Sequence, residues 1–208
     1  METSIPIAES PDTSNFEVGP PLRIEDGSPE DMRLPPSATG YTIALQQAME
    51  WLARKDGVLF VGQGVGVGGT KLSRSFNRIY GDRRLEFPVA EDFQMGYCIG
   101  LSLCGFKPVA IYPRWNFLLL AANQLVNHLD RIPLYSDFRP KVIIRTCIGA
   151  NRPLDPGPQH QDDFTEAFRL MCKTVEIVRL ESADEVLPAY QKAYRADHST
   201  ILVEHGDL

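Results

Sequence analysis

Apolar positions along this chain follow two rhythms: short continuous runs of strand length, and longer segments in which apolar residues recur every three or four positions. The longer period predicts helices over 42–54, 72–80, 92–104, 117–129, 163–172 and 183–195. The short runs predict strands over 58–61, 85–89, 109–112, 141–147, 175–180 and 200–203. Regular alternation of strand and helix predicts an α/β fold, a three-layer doubly wound and mainly parallel sheet with helices on both faces. Ligands of such sheets collect at the carboxyl ends of the strands. Glu91, Tyr112 and Cys147 each follow such an end.

The first 38 residues break this rhythm. They carry eight acids against Arg23 and Arg33, hold seven prolines, and contain few large apolar side chains. Such a segment buries too little surface to offset its ordering entropy, so a disordered acidic tail over 1–38 and a folded domain over 39–208 are expected. The tail accounts for the whole net charge of −6, which leaves a neutral body without the basic stripe that nucleic acid binding needs. It has neither the basic start and apolar run of a secretion signal nor the acid-poor composition of an organelle leader, so a cytoplasmic location is expected. No apolar run has the length of a membrane span. Cys98, Cys104, Cys147 and Cys172 sit in apolar runs without metal-type spacing, which predicts reduced core cysteines rather than zinc ligands or disulfides.

Two stretches invite chemistry. Glu91 opens a helix directly after a strand, a place that suits a functional acid; the helix dipole stabilises a carboxylate there for structural reasons as well. Gly64, Gly66 and Gly69 follow the first strand with dinucleotide-fingerprint spacing, which keeps a nucleotide-binding, Rossmann-like reading open. That fingerprint needs its last glycine inside a helix and an acid about twenty residues on, at the end of the second strand. Asp82 and Glu86 fall near that distance but precede the end of the predicted strand, and Thr70 stands where a phosphate-binding loop would place lysine. Arg114 and Arg145 suit a carboxylate or phosphate, or are plain surface residues.

Four further segments occur in a characteristic order: Pro88-Val89-Ala90-Glu91, Gly105-Phe106-Lys107-Pro108, Trp115-Asn116-Phe117 and Gln159-His160-Gln161. Over roughly 41–204 the chain resembles the pyrimidine-binding domain of transketolase-type thiamine diphosphate enzymes. The resemblance is strongest to beta subunits of the decarboxylating component of pyruvate and branched-chain 2-oxo acid dehydrogenases. It implies that Glu91 hydrogen-bonds the cofactor's aminopyrimidine ring as a proton relay, and that Phe117 stacks on that ring. It further implies that Tyr112, Pro113 and Gln63 line the pocket and that His160 meets the substrate. Without the resemblance, Phe117 reads as a core residue and His160 as a solvated loop histidine.

The same resemblance implies a partner. The Gly-Asp-Gly motif that holds the diphosphate through Mg2+ is matched by neither Gly81-Asp82-Arg83 nor Gly206-Asp207-Leu208, so an alpha-type subunit is expected to bind the metal, and no metal ligand is assigned to this chain. An α2β2 assembly is implied, acting on a 2-oxo acid or ketose by cleaving or forming a C–C bond next to a carbonyl. Two departures stand out. Gln63-Gly64 replaces the acids usual after the first strand, which leaves a non-catalytic regulatory relative as an alternative. The sequence also stops at Leu208, where longer relatives continue into a further domain, so docking into a large dehydrogenase complex is not expected and a biosynthetic ligase or transferase fits better.

Overall fold

The computed structural model describes residues 40–66, 71–79, 83–149 and 155–208. The acidic segment 1–38 and the end of the glycine-rich run, 67–70, lie outside the described residues, together with the expectations placed on them. Six strands alternate with helices in chain order. They are α1 (Gly40–Ala53), β1 (Val58–Gly62), α2 (Lys71–Arg74), β2 (Arg84–Glu86), α3 (Glu91–Leu103), β3 (Lys107–Ile111), α4 (Trp115–Leu120), α5 (Ile132–Tyr135), β4 (Ile143–Ile148), α6 (Thr165–Met171), β5 (Glu176–Arg179), α7 (Ala183–Arg195) and β6 (Thr200–His205). A π-helical turn, Gln124–Leu129, sits between α4 and α5, and a 3-10 turn, Pro158–His160, precedes α6.

The strands form one sheet in the order β2-β1-β3-β4-β6-β5, and every pairing is parallel. Parallel strands buried on both faces need apolar residues at successive positions, and β3 shows this: Val109 and Ile111 face one layer while Ala110 faces the other. On the first face α1 and α7 pack together, with Met49, Leu52 and Tyr190 against Phe60, Val109 and Leu202. Trp51 meets Tyr194 edge-on at 5.5 Å. On the second face α3, α4 and α6 bring Met95, Leu118 and Phe168 onto Val61, Ala110, Ile144 and Val203. Each such side chain contributes about 1.5–3 kcal/mol by leaving water.

The chain winds one way from β1 to β2 and the other way to β3, so a crevice opens between the ends of β1 and β3. The two strand ends approach very closely there. A Cβ on Gly62 would lie 2.4 Å from the carbonyl oxygen of Ile111, so only glycine fits. Gln94, fully buried on α3, donates from Nε2 to the carbonyls of Val61 at 3.3 Å and Ile111 at 2.9 Å. One side-chain amide thus ties both strands to the helix that begins with Glu91.

Three predicted elements differ. The segment 85–89 yields only the last two residues of β2, because Pro88 has no N–H to donate and restricts Phe87 before it; Val89 is left 77% exposed. The predicted helix over 72–80 shrinks to α2 followed by tight turns with Ser75 N–H bonded to the Leu72 carbonyl and Phe76 N–H to that of Ser73. The Ser75 hydroxyl also donates to the Leu72 carbonyl at 2.6 Å, a side-chain bond that competes with helix propagation. The predicted helix over 117–129 widens to π geometry, with the Asp130 N–H bonded to the Leu125 carbonyl at 2.9 Å. Asp130 is fully buried, and its Oδ1 accepts the backbone N–H groups of Lys173, Thr174 and Val175, which anchors this turn to the start of β5.

Arg145 of β4 is not a surface residue. Its Nε and Nη2 donate to Glu204 of β6 at 2.6 and 3.0 Å, its Nη1 donates to the Ser75 hydroxyl at 2.7 Å, and Tyr190 donates to Glu204 at 2.6 Å. Burial opposes the charge on Arg145, but the adjacent Glu204 carboxylate outweighs it and holds the guanidinium charged. Removing one partner strands the other charge in the interior. Glu204→Ala is therefore expected to lower unfolding free energy by about 3–5 kcal/mol in urea titrations, while the paired replacement Arg145→Met with Glu204→Leu should recover most of that loss.

Candidate functional site

Glu91 is the first residue of α3 and only 5% exposed. Gln63, just past β1, donates from Nε2 to Glu91 Oε1 at 3.2 Å. Oε2 has no hydrogen-bond partner among the described residues. Tyr112, just past β3 and fully buried, donates its hydroxyl to the Glu91 carbonyl at 3.2 Å. Burial, with Cys98 and Glu91 nearby, pushes the Tyr112 hydroxyl far above its ordinary pKa, so it stays a donor. Tyr112 therefore acts on the helix start from within the core.

A second group forms where α4 meets the 3-10 turn. Phe117, half-buried, stacks on the His160 ring at a centroid separation of 5.5 Å. Asn116 Oδ1 lies 3.0 Å from His160 Nδ1, and Gln159 Nε2 lies 3.2 Å from His160 Nε2. Arg114, which precedes α4, donates from Nη1 to the carbonyls of Gly149 at 2.7 Å and His160 at 3.2 Å. The fold thus brings Phe117 to His160 and Gln63 to Glu91. No hydrogen bond or ring contact joins the two groups among the described residues; the run Tyr112-Pro113-Arg114 links them along the chain.

A cavity of about 410 Å³ opens at the carboxyl edge of the sheet, with Gln63, Pro113, Arg114, Leu72 and Cys147 among its walls. Its volume falls within the range of small-molecule sites. Glu91, Phe117, Tyr112 and His160 are not among its walls. The glycine-rich loop beside it is already served by an internal anion: Glu86 accepts the N–H groups of Gly64 at 2.8 Å and Gly66 at 2.6 Å. Glu86 is the last residue of β2, where the nucleotide reading would want an acid. Yet it occupies the N–H groups of Gly64 and Gly66, donors of the kind a phosphate uses. Among the described residues no group of three or more His, Cys, Asp or Glu is arranged to hold a metal, and no helix is long and apolar enough to cross a membrane.

A doubly wound parallel sheet with a buried acid at its switch point defines a class of ligand-binding α/β domain. Residues 38–208 match the transketolase pyrimidine-binding domain, and the chain belongs to that family. It is 31% identical over 168 residues to a protein of Chaetosphaeridium globosum named pyruvate dehydrogenase E1 component subunit beta, covering 78% of this chain and 51% of that protein. A mitochondrial subunit beta of Caenorhabditis elegans with the same enzyme name is 28% identical, covering 79% of this chain and 48% of the relative. The chain thus spans about half the length of these relatives. A solved structure titled "Split gene transketolase, inactive beta4 tetramer" superposes with a TM-score of 0.58 at 17% identity, covering 79% of this chain and 49% of that one, which shows the shared fold.

Sequence reasoning did not single out Asn116 as a partner of His160, nor Arg114 as the tie between β4 and the His160 turn. Such contacts join segments tens of residues apart. The cysteine expectation holds for pairing but not for burial. All four are free, and Cys98 is buried, but Cys104 at the end of α3 is exposed. Burial pushes the thiols of Cys98, Cys147 and Cys172 up to about 12, so at pH 8 they are neutral. Brief iodoacetamide treatment of the native full-length chain should modify Cys104 first. Equal labelling of Cys98, read by peptide mass spectrometry, would contradict the buried placement of that thiol.

Proposed function

We propose that this chain is the pyrimidine-binding subunit of a split, two-chain thiamine diphosphate-dependent enzyme that cleaves or forms a C–C bond next to a carbonyl. The observation carrying this reading is Glu91: a buried carboxyl group at the switch point of a family member, with one oxygen held by Gln63 and the other without a partner among the described residues. A carboxyl group that hydrogen-bonds a ring nitrogen needs such a free oxygen in a shielded place. When bound, thiamine diphosphate supplies an acidic thiazolium carbon that becomes a nucleophile toward a carbonyl. Glu91 holds and passes the proton at Oε2, while Gln63 fixes Oε1. Phe117 offers a flat apolar face for an aromatic ring. His160 stabilises charge or moves a proton at the substrate.

Several features support a shared site. The relatives that the chain resembles are named beta subunits, and the structural neighbour is titled a split transketolase. In this reading an alpha-type subunit grips the diphosphate through Mg2+, the pair assembles as α2β2, and the substrate is a 2-oxo acid or ketose. The glycine-rich loop, engaged by Glu86, favours this reading over nucleotide binding.

The test is to co-express the chain with a partner carrying Gly-Asp-Gly and titrate the purified pair calorimetrically with thiamine diphosphate and magnesium. The pair should bind and either chain alone should not; full-strength binding by this chain alone would rule out a shared site. Glu91→Gln, which keeps the size and the Gln63 contact, should leave the pair assembled but lower turnover by about 10²–10⁴-fold. Unchanged turnover would remove Glu91 from the proposed chemistry.

A further inference from the structure

Asn116 has no role in the reading above, yet it makes a direct side-chain contact with the His160 ring. Its Oδ1 sits 3.0 Å from Nδ1, and Gln159 Nε2 sits 3.2 Å from Nε2 on the other side of the ring. An amide oxygen only accepts and an amide NH2 only donates, so one neutral tautomer satisfies both contacts, that with its proton on Nδ1. Phe117 fixes the ring plane by stacking, and Arg114 holds the backbone of the turn through the His160 carbonyl. Among the described residues, Arg114 and Asp155 make hydrogen bonds to the turn, and Asp162 follows it in the chain. Arg114 reaches it from the start of α4; Asp155, within the loop, accepts the Gly157 N–H at 2.9 Å and the Gln161 amide at 2.8 Å.

We propose that Asn116 is a positioning residue that locks His160 in the Nδ1–H tautomer and leaves Nε2 as its working nitrogen. The inference rests on the reading of His160 as a substrate-facing group. Which nitrogen of a histidine accepts or delivers a proton is set by the hydrogen bond at the other one. Asn116 lies on α4, the helix that also carries Phe117, so ring plane and tautomer are both set from one rigid element. Gln159 is exposed and belongs to the short 3-10 turn, so its amide is the partner that gives way when a ligand O–H or N–H donates to Nε2.

Long-range ¹H–¹⁵N spectra of the full-length chain labelled at histidine nitrogens test this without any assay of turnover. The His160 signals are identified by their loss in His160→Gln. The wild-type chain should show a protonated Nδ1 and an unprotonated Nε2 at neutral pH. Asn116→Ala should release the ring to a tautomer mixture, while the signals of His128, His198 and His205 stay in place and report an intact fold. Asn116→Asp should restore the protonated Nδ1, since a carboxylate oxygen at that position accepts the same hydrogen bond. An Nε2–H wild type, or an Asn116→Ala chain with the wild-type pattern, would overturn the proposal. Should Asn116 control the tautomer while a His160→Gln pair turns over normally, the tautomer lock stands and the catalytic role given to His160 falls.

Discussion

The close approach of β1 and β3 at their carboxyl ends is the constraint on which the site depends. Gly62 permits it by having no side chain, and the buried Gln94 amide secures it by bonding one carbonyl from each strand. In the interior an amide with two such partners is held far more firmly than it would be in water. The same residue belongs to α3, so the clamp also sets the height at which that helix starts. Glu91 is placed three residues before Gln94, over the crevice, and Tyr112 confirms the placement by donating to its carbonyl. The acid is thus located by backbone geometry rather than by its own charge.

Charge elsewhere in the molecule is used to hold loops and strands. Arg145 and Glu204 close on each other between β4 and β6, Asp130 gathers three backbone N–H groups at the entry to β5, and Glu86 gathers two at the glycine-rich loop. In each case a buried or loop-facing charge is matched by donors, as the cost of burial requires. Glu86 is the most informative of these. A loop that resembles a phosphate cradle in spelling carries its own carboxylate in space, on the N–H groups of Gly64 and Gly66.

The site has two parts with different mechanical character. Glu91 and Gln63 are fixed from the sheet, through strand ends and the first turn of a thirteen-residue helix. His160 sits on a three-residue 3-10 turn and depends on α4 for its orientation, through Asn116, Phe117 and Arg114. A buried acid is thus held on the rigid part of the fold, and a histidine ring on a loop tied down at three points.

The layered α/β architecture was legible in the chain because parallel strands buried on both faces leave unbroken apolar runs, while the covering helices leave a three-to-four-residue period. Glu91, Phe117 and His160 were legible as candidates because they stand in short segments of recognisable spelling and order. Element ends were less so: Pro88 cut β2 short, and the bond from Asp130 to Leu125 turned a predicted α-helix into a π turn. Only the tertiary structure decided that Arg145 is a buried half of an ion pair, that Cys104 faces outward, and that Asn116 holds the ring of His160. These facts rest on contacts across 59 positions for Arg145 and Glu204 and 44 for Asn116 and His160. Local periodicity carries the energetics of burial along one element, but which polar groups meet is settled only when separate elements are packed together.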